Sequence, residues 1–262
     1  MKPIKTAAFI GSGNVATHLA LAMHNAGVSI RQVFSRRMEN ARRLANKLNC
    51  NAVDNMEALE PDADVYVLAV ADDAIDQLIS LFPFRNRLIL HTSGSTGMDV
   101  LKNGSNQYGV LYPLQTFSRD VPVDFKKVPL CIEVSDPSLR EPLEGLANRL
   151  SDHVQWASSE KRRILHLAAV FACNFVNHMY AQATTIVDEQ GQDFGILRPL
   201  IEETARKAMH SDPREVQTGP AKRNDTKIME THRRMLKDHP DLKKMYDFIS
   251  NSILSQKNKN SN

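Results

Sequence analysis

The stretch GSGNVA at residues 11–16 constrains this chain more than any other. It follows the apolar run TAAFI and opens a segment in which Val15, Leu19, Ala22, Met23 and Ala26 recur at helical spacing, up to a stop at Gly27. A glycine at the first position permits a tight turn, and one at the third lets the backbone approach a ligand. The alanine at the sixth allows close packing of helix on strand. The helix N-terminus then offers free N–H groups and the positive end of its dipole to an anion. Alone, GxGxxA is a weak signal. Between a strand and a helix it reads as a pyrophosphate-binding turn, with Gly11, Ser12, Gly13, Asn14 and Val15 as the cradle.

The same alternation continues. Apolar runs predict strands at 30–35, 64–71, 87–91, 108–112, 129–134 and 153–156. Between them lie helical patterns carried by Ala41, Leu44, Ala45 and Leu48, by Ile75, Leu78, Ile79 and Phe82, and by PSLREPLEGLANRL. Strands alternating with helices imply an α/β fold, a doubly wound parallel sheet covered on both faces, here over residues 1–157. From Ser158 onward the strand signals stop. Residues 160–190 contain neither Pro nor Gly and read as one helix of about 45 Å, with Ile164, Leu167, Ala168, Phe171, Phe175 and Met179 as its core stripe. Further helices are expected near 194–211, 226–238 and 241–255, so residues 158–262 form an all-α C-terminal domain.

Composition excludes several classes. The 262 residues are 42% apolar and 24% charged, with a formal charge of +3, too small and too scattered to argue for nucleic acid. Cys50, Cys131 and Cys173 have no metal-like spacing and cannot all pair, which suits a reduced, cytoplasmic setting. Nothing at the start resembles a signal peptide, and no apolar stretch reaches about 18 residues, so no membrane span is expected. The polar tail SQKNKNSN is expected to fray.

The end of the second strand speaks to the choice of dinucleotide. An NAD site places a carboxylate about 20 residues after the glycine turn to hold the ribose 2′-hydroxyl. Here the strand ends in Ser35, Arg36 and Arg37, a hydroxyl and two guanidiniums suited to a 2′-phosphate and hence to NADP. The alternative is that both arginines are solvated residues opening the next helix. Val70 and Ala71, after the 64–71 strand, lie where a cofactor passes. Asp72 or Asp73 there suits a helix cap better than an acid catalyst. HTSGS, at the end of the next strand, offers His91 and Ser93 near the expected nicotinamide, or is simply a polar turn.

On the long helix, His166, Asn174, Asn177 and His178 interrupt apolar neighbours, and each needs a partner if buried. His166 and Asn174, eight residues apart, fall within roughly 80° of one face and about 12 Å apart along the axis. The segment TGPAKRND (218–225) has two readings. In one, Gly219-Pro220 turns the chain and Asn224 or Asp225 caps the next helix. In the other, the loop faces the cleft between the domains, where Arg223 holds an anionic group and Thr218 hydrogen-bonds it.

GSGNVA, HTSGS, YPLQTF, LHLAAVFACNF on a long helix, and TGPAKRND together resemble a bacterial family with a Rossmann-like NADP-binding domain and an uncharacterised helical C-terminal domain. The resemblance covers about residues 5–240. The N-terminal half is also similar to pyrroline-5-carboxylate reductase and to deazaflavin-linked NADP oxidoreductases. The helical half is similar to the C-terminal domains of the 6-phosphogluconate dehydrogenase superfamily. The family pattern touches His91, Ser93, Pro113, Lys161, His166, Asn174, Thr218, Gly219, Pro220, Arg223 and Asp225, and it favours the site reading of TGPAKRND. Where relatives have a histidine before the proline of YPLQTF, this chain has Tyr112, so a proton donor at that position would here be a phenol. The glycine-rich run that precedes the catalytic lysine of β-hydroxyacid dehydrogenases is missing, so Lys161 is not equated with that lysine.

The expectation is an NADP(H)-dependent oxidoreductase. It would move a hydride to or from a small carbonyl, imine or alcohol bound between the domains. His166 is the first candidate for general acid/base, followed by Lys161 and Tyr112. Asn174 would orient the substrate or the base, with Thr218, Arg223 and Asp225 as substrate contacts. The alternative is a non-catalytic NADP(H)-binding sensor. A long apolar helix beside so few helical residues suggests a homodimer through the helical domain.

Overall fold

The computed structural model describes residues 2–259 of the chain, and side chains as far as residue 256; of the tail expected to fray, residues 255–259 continue the last helix, and residues 260–262 lie outside the described residues. Contacts divide the chain into two compact units, Met1–Asn174 and Phe175–Asn262. The change from strands to helices comes earlier, after Trp156.

The sheet unit holds eight strands. They are β1 (Thr6–Ile10), β2 (Ser29–Phe34), β3 (Asn51–Val53), β4 (Val65–Leu68), β5 (Leu88–His91), β6 (Gln107–Pro113), β7 (Leu130–Val134) and β8 (Val154–Trp156). They lie in the order β3-β2-β1-β4-β5-β6-β7-β8. The order reverses direction between β1 and β4, the switch point at which open α/β sheets bind ligands beyond the strand C-termini. β3 is an edge strand of three residues that periodicity does not detect. Neighbouring strands run parallel except β6 and β7, which pair antiparallel from Gly109↔Val134 to Pro113↔Leu130. A parallel return needs a long crossover, usually a helix. The segment after Pro113 supplies only a loop and a single short turn of helix at Phe125–Lys127, so β7 comes back alongside β6.

Both faces of the sheet are covered. Phe9, Val33, Val67, Leu90 and Leu111 pack on one side with Leu19, Leu44 and Leu143. Ile10, Tyr66, Leu68 and Ile89 pack on the other with Ile75, Ile79 and Phe82. The helices that bring these residues in are α1 (Asn14–Asn25), α2 (Met38–Leu48), α3 (Ile75–Ser80) and α4 (Arg140–Leu150). Every residue of β4 and β5 is buried, as expected for central parallel strands. Each such Leu, Ile or Phe contributes about 1.5–3 kcal/mol relative to exposure.

The expected long helix is present as α5 (Ser159–Ala169), a π segment (Val170–Phe175) and α6 (Val176–Asp188). Then follow α7 (Arg198–His210), the four-residue α8 (Pro220–Arg223), α9 (Thr226–Met235) and α10 (Pro240–Lys259). Two expectations about the long helix need correction. Its apolar stripe is not core: Ile164 is 63% exposed, Leu167 59%, Phe171 63% and Phe175 49%. Helical spacing marks a face that wants cover, not the presence of a cover. In addition, Ser159–Asp188 is long and apolar enough to cross a membrane by length and composition, at a mean hydropathy of 1.3. Isolated His and Asn residues break up the apolar run, yet Ala, Val, Phe, Ile and Leu around them keep the mean high.

Candidate active site

The glycine turn takes the form its sequence predicts. Gly11 has φ +118°, and a Cβ there would stand 2.1 Å from the Ala69 carbonyl oxygen, so only glycine fits. Its N–H donates to the Phe34 carbonyl (2.8 Å), which ties the turn to the end of β2. Gly13 is the N-cap of α1, with no side-chain cap and no acidic residue in the first turn. A Cβ on Gly13 would meet nothing within 4 Å. Open space therefore lies over a helix N-terminus whose first N–H groups lack intrahelical partners. An anion the size of a pyrophosphate fits that cradle by charge and by room.

A cavity of about 530 Å³ opens from the turn, formed entirely by residues of the sheet unit. The whole Gly11–Val15 loop lines it, as do Ser35 and Arg36 at one end, and Val70 and Ala71 along one wall. Ser93, Tyr112 and His166 stand together in its lining. The NADP(H) cradle read from the sequence thus shares one space with two of the candidate proton carriers.

Tyr112 and His166 meet directly. β6 delivers Tyr112 and α5 delivers His166, and the tyrosine hydroxyl lies 3.0 Å from His166 Nδ1. Burial pushes the Tyr112 phenol up to about 12. At neutral pH it keeps its proton, and one hydrogen bond joins it to Nδ1, with the donor set by the imidazole tautomer. Gly94 makes the pairing possible: a Cβ there would come within 2.6 Å of His166 Nδ1 and 2.8 Å of the Tyr112 ring.

The loop after β5 is held from both sides. Ser93 Oγ accepts the N–H groups of Ser95 (3.2 Å) and Thr96 (2.9 Å). These occupy both of its lone pairs, so towards a ligand Ser93 can act only as a donor. On the other side Arg162, fully buried, forms an ion pair with Glu133 at 2.6 Å. It also donates to the carbonyls of Ser93 (3.1 Å) and Thr96 (2.6 Å) and to Ser159 Oγ (3.3 Å). Removing one partner of such a buried pair costs about 3–5 kcal/mol.

Several residues singled out in the sequence lie elsewhere. Arg37 is exposed at the N-cap of α2 and does not line the cavity with Ser35 and Arg36. His91 ends β5 fully buried, its Nδ1 accepting the Ser93 N–H at 3.1 Å. That makes it part of the loop's scaffold, and burial, with Arg162 nearby, holds its pKa down to about 4. Lys161 is exposed; five residues before His166, it points about 140° away around the helix. Asn174 is exposed within the π segment, which interrupts the register that would have set it over His166. Asp72 does not cap a helix with its side chain; it accepts the Ser95 hydroxyl.

In the helical unit, Asp225 caps α9 by accepting the Ile228 N–H at 3.2 Å. Asn224 ends α8 in the left-handed region at φ 58°, and Gly219 turns the chain at φ +103°. Arg223 closes α8, while Thr218 borders a separate cavity of about 330 Å³ with Met179, Ile186 and Leu236. The cap reading of TGPAKRND is therefore realised at Asp225.

Gly94 and Gln115 line the cavity but were not among the candidate site residues. Both lie in quoted motifs, HTSGS and YPLQTF, and that was their only signal. Arg162 had none, because an arginine in a Lys-Arg-Arg run reads as solvated.

Comparison with known proteins bears on both halves. Residues 6–92 match the family described as NADP oxidoreductase coenzyme F420-dependent, and residues 128–253 match a domain of unknown function, DUF2520. No curated protein matches the chain. A solved structure from Bacteroides fragilis, provisionally named an NADP oxidoreductase, is 40% identical over 96% of this chain and 98% of its own, with a TM-score of 0.92. A Thermotoga maritima protein is 21% identical over 98% of this chain and all of its own, at a TM-score of 0.72. An imine reductase from Myxococcus stipitatus, solved with NADP+, is 15% identical over 95% of this chain and 92% of its own, at 0.65. The last two share the fold.

Proposed function

The chain belongs to the family of that Bacteroides fragilis protein, and on that premise we propose that it is an NADP(H)-dependent oxidoreductase acting on a small carbonyl, imine or alcohol. The observation that carries this reading is the Tyr112–His166 pair, 3.0 Å apart, in the cavity that the glycine turn opens. The nicotinamide would supply or accept the hydride. What remains for the chain is to bind, to orient and to manage one proton.

Gly11–Val15 hold the pyrophosphate, and Ser35 and Arg36 the 2′-phosphate, by charge-assisted hydrogen bonds. Ser93, restricted to donating, hydrogen-bonds a carbonyl oxygen of substrate or nicotinamide. Tyr112 gives its O–H proton to the oxygen or nitrogen that gains charge during reduction; the phenolate left behind takes a proton from His166 Nδ1 while Nε2 takes one from solvent. Arg36→Ala weakens NADPH while leaving NADH unchanged, by roughly 1.5–3 kcal/mol for a hydrogen bond to a charged group.

Thermal unfolding with each nucleotide is the first test. NADPH at about 100 times its dissociation constant adds about 2.7 kcal/mol of stability; no shift with either nucleotide sinks the reading. Tyr112→Phe then separates catalyst from sensor. In a catalyst it retains NADPH binding and loses turnover of carbonyls or imines by about 10²–10⁴-fold. A protein that binds NADPH but turns over none of a broad substrate panel is the non-catalytic sensor.

We also propose that the chain works as a homodimer, its exposed helical stripe covered by a second copy and not by a membrane. The proposed setting is the cytoplasm, where the free Cys50, Cys131 and Cys173 stay reduced.

A further inference from the structure

We infer that Arg162 is a positioning residue for the Tyr112–His166 pair, acting through the Ser93–Thr96 loop; the inference rests on the reading of that pair as the proton carrier. His166 is one helical turn beyond Arg162 on α5, so the guanidinium anchors the turn of helix that carries the imidazole. The guanidinium is fully buried and uses four donor contacts on three different elements. Its Nε and Nη2 reach the Ser93 and Thr96 carbonyls of the loop after β5. Its Nη1 pairs with Glu133 of β7, and its Nη2 also reaches Ser159 at the start of its own helix.

Neighbouring contacts complete the clamp. Arg163 Nε donates to the Ser95 carbonyl at 3.0 Å. Glu133 accepts both the N–H and the hydroxyl of Ser159, at 2.9 and 2.8 Å. Three successive loop carbonyls outside the glycine, those of Ser93, Ser95 and Thr96, are thus gripped by two consecutive arginines. The residue left between them is Gly94, whose missing side chain is the space in which His166 meets Tyr112. The planar fork of an arginine serves several carbonyls and a carboxylate at once; the ammonium of a lysine cannot reproduce that geometry. A buried ion pair is weak evidence for stability by itself. Here its placement ties the two halves of the proton pair to one frame.

The test uses Arg162→Lys and Glu133→Gln in the full chain. The first readout is the His166 ring in the protein without nucleotide, by 15N NMR of labelled histidine, assigned by its loss in His166→Gln. The wild-type spectrum should show Nδ1 shifted by its hydrogen bond to Tyr112, a shift that Tyr112→Phe removes. In Arg162→Lys that signature should disappear, while NADPH, read by fluorescence, still binds, because the glycine turn that holds its pyrophosphate lies on β1 and α1. With a substrate in hand, kcat should fall on the order of 10²-fold, as for a misplacement of about 1 Å, with little change in KM. Should Arg162→Lys fail to fold, Glu133→Gln, which keeps both acceptor oxygen and shape at one position, gives the same readouts. A His166 signature intact in a folded variant overturns the positioning role. Loss of NADPH binding in the wild-type protein would instead overturn the proposed function, leaving the NMR result to stand for itself.

Discussion

The two units of this chain solve the same problem unequally. In the sheet unit, residues such as Phe9, Ile10, Val67, Leu90 and Leu111 are completely buried, because the helices on each face close over strands that are apolar on both sides. In the helical unit, Ala221 and Met229 are the buried hydrophobic residues among those described. Ile196 is 71% exposed there, Leu200 65%, Met209 73% and Phe248 77%. Amphipathic periodicity is comparable in the two units. What differs is layering: a sheet flanked by helices makes its own interior, while a few short helices around one long one leave apolar faces open. A unit that buries so little of its own apolar surface gains stability from cover, which is the reason for proposing a second copy as a further layer.

The largest expected effect tests that contrast directly. Leu200→Asp with Met209→Asp places two carboxylates at exposed apolar positions of α7 in the helical unit. It should convert a dimer to monomer in sedimentation and lower the melting temperature of the helical part first, as seen by circular dichroism. A wild-type protein that sediments as a monomer ends the dimer proposal.

Paired truncations sharpen the comparison next. Leu111→Ala, in the closed core, should cost about 2–5 kcal/mol in denaturant unfolding. Ile196→Ala, on the open unit, should stay within about 0.5 kcal/mol in a monomer. A larger loss at Ile196 that depends on protein concentration would place that residue in the interface.

Acid should act on the sheet unit through His91. Its pKa is held down to about 4 by burial, against about 6.5 in an unfolded chain. The unfolded state therefore binds the proton first. Stability is full above about pH 6.5 and falls as the pH drops towards 4, by about 3 kcal/mol in all. His91→Asn, which keeps an acceptor for the Ser93 N–H, should flatten that part of the pH profile of unfolding. An unchanged profile would show that His91 is not the group responsible.

The smallest effect concerns the helical unit's own cap. Asp225→Ala removes the bond to the Ile228 N–H and should cost about 1 kcal/mol, with no change in NADPH affinity. A selective loss of substrate affinity at unaltered stability would revive the substrate-contact reading of that residue.

Much of this was legible in the sequence. GSGNVA between an apolar run and a helix determined the turn, its glycines and the Rossmann sheet, because local backbone chemistry leaves no other residue at Gly11. Tyr112, His166 and Ser93 were named as candidates from motif and residue type. Periodicity found the long helix, and Asp225 was identified as a possible cap. Tertiary structure alone decided the rest. It put the Tyr112 hydroxyl on His166 across Gly94, turned Lys161 and Asn174 away, and buried Arg162 among carbonyls that no spacing rule connects to it. Such contacts join residues far apart in the chain, and they form only where β5, β6, β7 and α5 converge. Whether an apolar helical face becomes core is likewise set by what covers it, and that is not written in the face itself.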